Sequence, residues 1–195
     1  EERLGQLLQQ RQKWIVVTKV GEEFVNGASH FDFTAAHTRL SVERSLERLR
    51  TDYLDIVLIH SDGNDSAILE QGDCFAALQD LKQRGLIRAI GMSTKTLAGG
   101  LQAAKELDVV MLTYNLQQQD SEVLALTQQL GKGVLVKKGL MSGHLQEAGR
   151  NLVRESMALN LQQAGIHSMI VGTINPAHLA SNVATARAVL KEMDC

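Results

Sequence analysis

Six short apolar segments recur along the chain, and each stays nearly free of charge until its last residues. Strands that are buried on both faces, as in parallel sheets, show this continuous pattern instead of strict alternation. The segments start about 20 to 40 residues apart, a spacing typical of repeated βα units. The predicted strands are Trp14–Val20, Leu54–His60, Ile87–Ser93, Val109–Asn115, Gly133–Lys138 and Ser168–Ile174.

Amphipathic segments separate these strands and predict helices. Ser41 is a favourable N-cap for the second of them, and Asn175-Pro176 supplies a cap and a first-turn proline for the last. The first residues already show helical spacing without a preceding cap, so we expect the chain to begin inside a helix. The predicted helices are Glu1–Leu8, Ser41–Leu49, Cys74–Arg84, Leu97–Leu107, Ser121–Leu130, Asn151–Ala164 and Pro176–Lys191.

Six βα units in series fit either an open doubly wound sheet or part of a barrel. An open sheet that binds a dinucleotide normally carries G-x-G-x-x-G after its first strand, and the sequence has no such motif. A barrel places its reactive residues at the carboxyl ends of its strands. Polar residues do close the six predicted strands, which favours a barrel with one shared site. These residues are Lys19, His60, Ser93-Thr94, Asn115, Lys137-Lys138 and Thr173.

Composition narrows the class of protein. The 195 residues suit a single domain, 1–195, and 44% hydrophobic with 22% charged residues is ordinary for a globular protein. A net charge of −2 without a basic cluster argues against nucleic acid or membrane partners, and no apolar run is long enough to span a bilayer. Cys74 and Cys195 indicate neither a disulfide framework nor a zinc site, so we expect a cytoplasmic protein.

The segment Ser41–His60, SVERSLERLRTDYLDIVLIH, resembles the third helix and fourth strand of the aldo-keto reductase family. Four further segments match the family in order and spacing. The resemblance implies a TIM (β/α)8 barrel, of which this chain supplies six units, strands three to eight, and lacks the first two. The further segments are VVTKVG (Val16–Gly21), KQRGLIRAIGMST (Lys82–Thr94), TYN (Thr113–Asn115) and VGTINPAHLASNV (Val171–Val183).

The resemblance also implies a reaction, in which NADPH delivers a hydride to an aldehyde or ketone carbon and a tyrosine protonates the oxygen. The family uses a tetrad of Asp, Tyr, Lys and His, and Lys19 and His60 match the lysine and the histidine. The family's aspartate and tyrosine fall upstream of residue 1, so we expect the chain as given to be catalytically incomplete. A lysine cation lowers the pKa of a tyrosine, ordinarily about 10, and a histidine can polarise the carbonyl.

The two tyrosines of the chain are poor substitutes for the missing acid. Tyr53 precedes His60 by seven residues, which places it about 23 Å away at the opposite end of the strand. Tyr114 is near the correct end, but its position in the family is ordinarily a wall of the site.

The resemblance assigns further residues to the cofactor, with departures from the usual pattern. Met111 stands where many members have a glutamine, and Lys137 replaces an aromatic residue that often stacks on the nicotinamide. His178 replaces an arginine that would hold a 2′-phosphate by a bidentate fork. We therefore expect NADPH, with NADH as the alternative. The assigned residues are Ser93, Thr94, Lys137, Leu140, Ser142, Gly143, Gly172, Thr173, Asn175, His178 and Asn182.

Other interpretations of these residues stay open. His60 alone could be a structural histidine, Lys19 a surface lysine, and Ser93 and Thr94 caps of the next helix. Besides a carbonyl reductase acting on small molecules as a monomer or weak homo-oligomer, the chain could be a non-catalytic NADP(H)-binding regulatory relative. A third alternative is a phosphate-binding barrel of another class, such as a lyase or isomerase.

Overall fold

The structure, a computed structural model, describes residues 1–143 and 151–192. His144, for which the sequence predicts a structural or solvated role, and Cys195 lie outside the described residues. The chain divides into two units, Glu1–Val110 and Met111–Cys195. In the described part of the chain, no helix combines the length and the hydrophobicity needed to cross a membrane.

The first unit alternates strands and helices around a parallel sheet. In chain order its elements are α1 (Glu2–Leu7), a 3₁₀ turn (Arg11–Lys13), β1 (Val17–Val20), β2 (Glu22–Val25), β3 (Ala28–Phe31), α2 (Ala35–Leu49), β4 (Leu54–His60), α3 (Asp65–Gln71), α4 (Asp73–Gln83), β5 (Ile87–Ser93) and α5 (Leu97–Glu106). Strand β6 (Val109–Thr113) contains the point of division.

Strand β4 forms the centre of this unit and pairs in parallel with β1 on one side and β5 on the other. Val57, Leu58 and Ile59 are fully buried although they alternate between the two faces of the sheet, so both faces are covered. Gly91 of β5 lies opposite Leu58. A Cβ added to it would stand 2.6 Å from Leu58 Cδ2, so the leucine occupies the space that the glycine leaves.

The second unit continues the pattern with fewer paired residues. After β6 come α6 (Ser121–Gln129), β7 (Gly133–Lys137), a 3₁₀ turn (Met141–Gly143), α7 (Leu152–Leu161), β8 (Ser168–Met169) and α8 (Pro176–Lys191). Strands β7 and β8 pair in parallel, and the order across the sheet is β1, β4, β5, β6, β7, β8.

The predicted strand Ser168–Ile174 is wrong in its second half. Only Ser168 and Met169 pair with β7. The backbone N–H of Ile170 still donates to the carbonyl oxygen of Val136 at 2.8 Å, but the register ends at Met169. On the partner side, Lys138 follows β7 with a φ of 55°, a left-handed conformation that does not continue a strand. Ile174 is accordingly fully exposed, at 104%.

The helix predicted to start at Ser41 starts earlier. Thr34 caps α2 by accepting a hydrogen bond from the backbone N–H of His37 at 3.2 Å. Ser41 is buried inside the helix and hydrogen-bonds the ring of His37 at 3.2 Å. Its side chain therefore has a packing role, although serine is equally typical of a cap.

The hairpin of β2 and β3 is absent from the prediction, although the sequence carries its signal. Asn26 and Gly27 join the strands with φ angles of 52° and 82°, the geometry of a two-residue loop in a type I′ turn. An Asn-Gly pair between short strands is the usual sequence for that turn. The hairpin follows directly on β1, and this places its first residue, Glu22, at the carboxyl end of that strand.

Cys74 is buried in α4, at 1% exposure. Burial raises the pKa of its thiol to about 11. A hydrogen bond with Thr38 lowers the pKa, but the effect of burial is larger. The thiol is therefore protonated at neutral pH, and a thiolate nucleophile at this position is disfavoured.

Candidate active site

Three predicted site residues share one face of the sheet in the first unit. Lys19 stands opposite Leu58, and His60 stands opposite Ser93. Leu58 and His60 are two residues apart on β4, so their side chains point to the same face. The pairing therefore places Lys19, His60 and Ser93 on one face near the carboxyl ends of three neighbouring strands.

Their exposure differs in a way that suits different roles. Lys19 is exposed, and the side chain of His60 is 31% exposed. Ser93 and Thr94 are buried, at 1% and 4%. The lysine and the histidine can thus reach a molecule at this end of the sheet, while Ser93 and Thr94 are shielded from solvent.

Gly21 makes the turn that brings the hairpin to this end. Its φ of +97° is unfavourable for residues with a side chain, and a Cβ there would stand 2.5 Å from the ring of Phe33. The same Cβ would lie 3.6 Å from the carbonyl oxygen of His60. The turn thereby sets Glu22, the next residue, against His60.

Glu22 forms an ion pair with His60, between its Oε2 and the histidine Nδ1. Ser29, across the hairpin, donates a hydrogen bond to the other carboxylate oxygen at 2.5 Å. That bond, and the charges of His60 and Lys95, hold the pKa of Glu22 below its ordinary value although partial burial opposes them. Glu22 is therefore ionised at neutral pH and can only accept, so Nδ1 of His60 is the donor.

Asp65 fixes the turn that follows Ser93 and Thr94. Its Oδ2 accepts hydrogen bonds from the backbone N–H groups of Lys95, at 2.9 Å, and Thr96, at 2.7 Å, and from the Thr96 hydroxyl at 2.7 Å. Asp65 is 1% exposed. A Cβ on Gly99 would stand 2.0 Å from the Asp65 Cβ, so this approach depends on glycine at that position.

The alternative that Ser93 or Thr94 caps the next helix does not hold. Thr96 caps α5, accepting from the N–H of Gly99 at 3.1 Å. The sequence also gave no sign of Asp65, because its partners are 30 and 31 positions away in the chain. The N-cap of α5 is thus Thr96.

A second group of predicted residues lines a cavity of about 380 Å³ in the second unit. Six of the residues assigned to the cofactor line it, together with Ser181. Three lining residues were missed: Asn151, Val153 and Thr185. Thr185 could have been found, because it continues the helical spacing of the α8 residues that face the cavity. The six are Leu140, Gly143, Gly172, Thr173, His178 and Asn182.

The remaining assigned residues of this unit lie beside that group. Lys137 is half-buried at the end of β7, and Ser142 sits in the following 3₁₀ turn with a φ of 56°. Asn175 caps α8 and accepts from the N–H groups of Ala177 at 2.9 Å and His178 at 3.4 Å. The cap occupies two of the amides that the helix N-terminus could offer to an anion.

The residues that line the cavity offer hydrogen-bonding groups and little charge. Thr173, Ser181 and Asn182, which carry hydroxyl and amide groups, are among its lining residues, and Gly143 and Gly172 leave open space where a Cβ would be. Neither lysine nor arginine is among its lining residues within the described ranges, and His178 is the one side chain there that can become cationic.

Comparisons with known proteins bear on the family and the fold. A model of the aldo/keto reductase family matches residues 1–156. A solved structure from Pseudomonas aeruginosa, provisionally named an aldo-keto reductase, is 52% identical with a TM-score of 0.88, and the match covers 97% of this chain and 73% of that one. The likeness confirms the predicted fold class.

Curated relatives are more distant in sequence. The oxidoreductase YqkF of Bacillus subtilis, described as uncharacterized, is 29% identical over 166 residues, 82% of this chain. The L-galactose dehydrogenase of Arabidopsis thaliana is 28% identical over 208 residues, 89% of this chain. The chain spans 53% of the length of the first and 64% of the length of the second.

Proposed function

Because the chain belongs to the aldo/keto reductase family, we propose that the protein reduces an aldehyde or ketone to an alcohol with NADPH. One observation carries the proposal: Lys19, His60 and Ser93 share a face at the carboxyl ends of β1, β4 and β5. This placement serves no packing purpose for an exposed lysine. It is the end of a barrel strand at which catalytic residues are found.

The proposal gives each residue a role. A bound nicotinamide would supply the hydride, and a phenol of the kind that the family uses would supply the proton that completes the alcohol. His60 donates a hydrogen bond to the carbonyl oxygen and polarises the bond that accepts the hydride. Lys19 contributes positive charge that stabilises an anionic oxygen or phenolate nearby. Ser93 and Thr94 orient the carboxamide of a nicotinamide. The cavity of the second unit, considered by itself, suits the adenosine part of a nucleotide.

The preference for NADPH over NADH is the finer part of the proposal. A 2′-phosphate is best held by arginine, whose planar fork matches two phosphate oxygens. His178 can meet the phosphate with one N–H and, when protonated, a positive charge. We therefore expect a modest affinity for NADPH and a still lower affinity for NADH. Cytoplasmic location and a monomer or weak homo-oligomer complete the proposal.

Binding and turnover, measured separately on the full gene product, test this function. We expect calorimetric titration to show binding of NADPH more tightly than NADH, and benzaldehyde to accelerate oxidation of the bound reduced nucleotide. Binding of NADPH with no turnover on any of a panel of aldehydes and ketones would support the regulatory alternative. Binding of a sugar phosphate without either nucleotide would support a barrel of another class.

A further inference from the structure

We propose that Glu22 is a positioning residue for His60: its carboxylate fixes the proton on Nδ1, so that Nε2 can donate to a substrate oxygen only when the imidazole is protonated. The inference rests on the proposed carbonyl reduction for its catalytic consequence. The pairing itself is a feature of the first unit and can be tested without activity.

The geometry of the hairpin supports this assignment. Glu22 is the first residue of β2, and the turn at Gly21 leaves it next to the carboxyl end of β4. Ser29 holds one carboxylate oxygen at 2.5 Å, which leaves the other for Nδ1 of His60. Two independent contacts therefore fix the carboxylate, and a fixed acceptor restrains the rotation of the ring.

Lys95 attaches the same hairpin to β5. Its ammonium lies 5.5 Å from the centre of the Phe31 ring, and Phe31 stands directly opposite Glu22 in the hairpin register. The charge of Lys95 also acts on the Glu22 carboxylate. The hairpin is thus tied to the ends of two catalytic strands, at His60 and just beyond Ser93.

The position of the proton decides what His60 can do. A neutral imidazole has one N–H, and the Glu22 carboxylate claims it at Nδ1, so Nε2 of the neutral ring is an acceptor. Such a ring cannot polarise a carbonyl. Protonation adds the N–H at Nε2 and is itself favoured by the adjacent carboxylate. Glu22 therefore makes His60 a donor to the carbonyl when the ring is protonated and an acceptor for the alcohol when the ring is neutral.

Glu22→Gln removes the charge and keeps the size of the side chain. Following His60 by NMR with labelled histidine, we expect its protonation to move to lower pH than in the wild-type protein. We expect kcat for reduction at neutral pH to fall by roughly ten- to a hundred-fold, with a smaller change in KM for the nucleotide. In the plot of kcat for reduction against pH, kcat falls as the pH rises. In the variant this fall should occur at lower pH, by the same number of pH units as the shift of the His60 titration in NMR.

Glu23→Gln is the matched control. Glu23 is the next residue on the same strand, points to the opposite face, and pairs with Arg44 and, at 3.5 Å, with His37. It should leave the titration of His60 and the pH profile unchanged. The lysines of this end, Lys19 and Lys95, are the same in both variants, so they cannot produce a difference between them.

The outcomes separate this inference from the proposed function. An unchanged His60 titration in Glu22→Gln would overturn the inference, whatever the protein catalyses. A shifted titration in a protein without turnover would leave the pairing established and contradict the proposed function. A loss of kcat with an unshifted pH profile would show a merely structural role for Glu22. Partial recovery in Glu22→Asp, which keeps the charge, is expected.

Discussion

Lys19→Met is expected to lower kcat/KM for aldehyde reduction by about a hundred- to a thousand-fold, the range lost when a group that stabilises charge in the transition state is removed. The variant keeps most of the aliphatic stem and removes the ammonium at the end of β1. Lys19 is exposed, so the free energy of unfolding should change little. Steady-state kinetics of the full gene product with benzaldehyde and NADPH, beside a titration of NADPH binding, measure the effect.

Lys13→Met makes the same change at the other end of the strand. Lys13 is also exposed and lies in the 3₁₀ turn that precedes β1, so its loss should leave kcat/KM within about a factor of two. A loss below about three-fold for Lys19→Met, or equal losses in the two variants, would contradict the role assigned to Lys19.

Asp55→Asn is expected to lower the free energy of unfolding by about 3 kcal/mol. The carboxylate accepts hydrogen bonds from Arg11 at 2.7 Å, from Arg88 at 3.1 Å, and from the backbone N–H of Val16 at 2.9 Å. The two guanidinium groups also lie 4.3 and 3.9 Å from the centre of the Tyr53 ring. An amide here leaves Arg11, whose side chain is 17% exposed, without its counter-charge.

Asp80→Asn provides the matched comparison. Asp80 also faces two arginines, Arg84 at 3.5 Å and Arg39 at 4.0 Å, but its side chain is 48% exposed. Solvent screens such pairs, so the free energy of unfolding should change by no more than about 0.5 kcal/mol. Denaturation followed by circular dichroism measures both variants. Similar small losses in the two would show that the Asp55 cluster contributes little to stability.

The Asp55 cluster also shows why Tyr53 is unsuited to acid–base chemistry. Its ring is held between the two guanidinium groups at the amino end of β4. The sequence predicted this location from the distance of Tyr53 to His60 along one strand. The cation–π contacts were not predictable, because Arg11 and Arg88 come from other elements.

Strands β4 and β5 were predicted to the residue, because each is a continuous apolar segment with pairing partners on both sides. The positions of His60 and Ser93 at the carboxyl ends of these two strands followed from the same apolar pattern. Strand β8 was predicted too long, since hydrophobicity alone does not reveal that a left-handed residue, Lys138, follows β7 directly. Edge strands depend on their single partner as much as on their own sequence.

Glu22 was missed for a different reason. Residues Glu22 and Glu23 look like ordinary surface charge in the sequence, and only the turn at Gly21 and the Asn26-Gly27 loop separate them onto two faces. The Asn-Gly signal was present and would have predicted the hairpin. Its attachment to His60 depends on tertiary structure that local patterns do not contain.

The transfer of label from the cofactor to the product tests the central claim most directly. The full gene product is incubated with benzaldehyde and NADPH that carries deuterium in both positions at C4 of the nicotinamide, and the alcohol is analysed by mass spectrometry. Carbonyl reduction by hydride transfer predicts one deuterium on the carbinol carbon of each product molecule. Binding of the labelled nucleotide without formation of deuterated alcohol, from this or any other aldehyde or ketone tried, would contradict it.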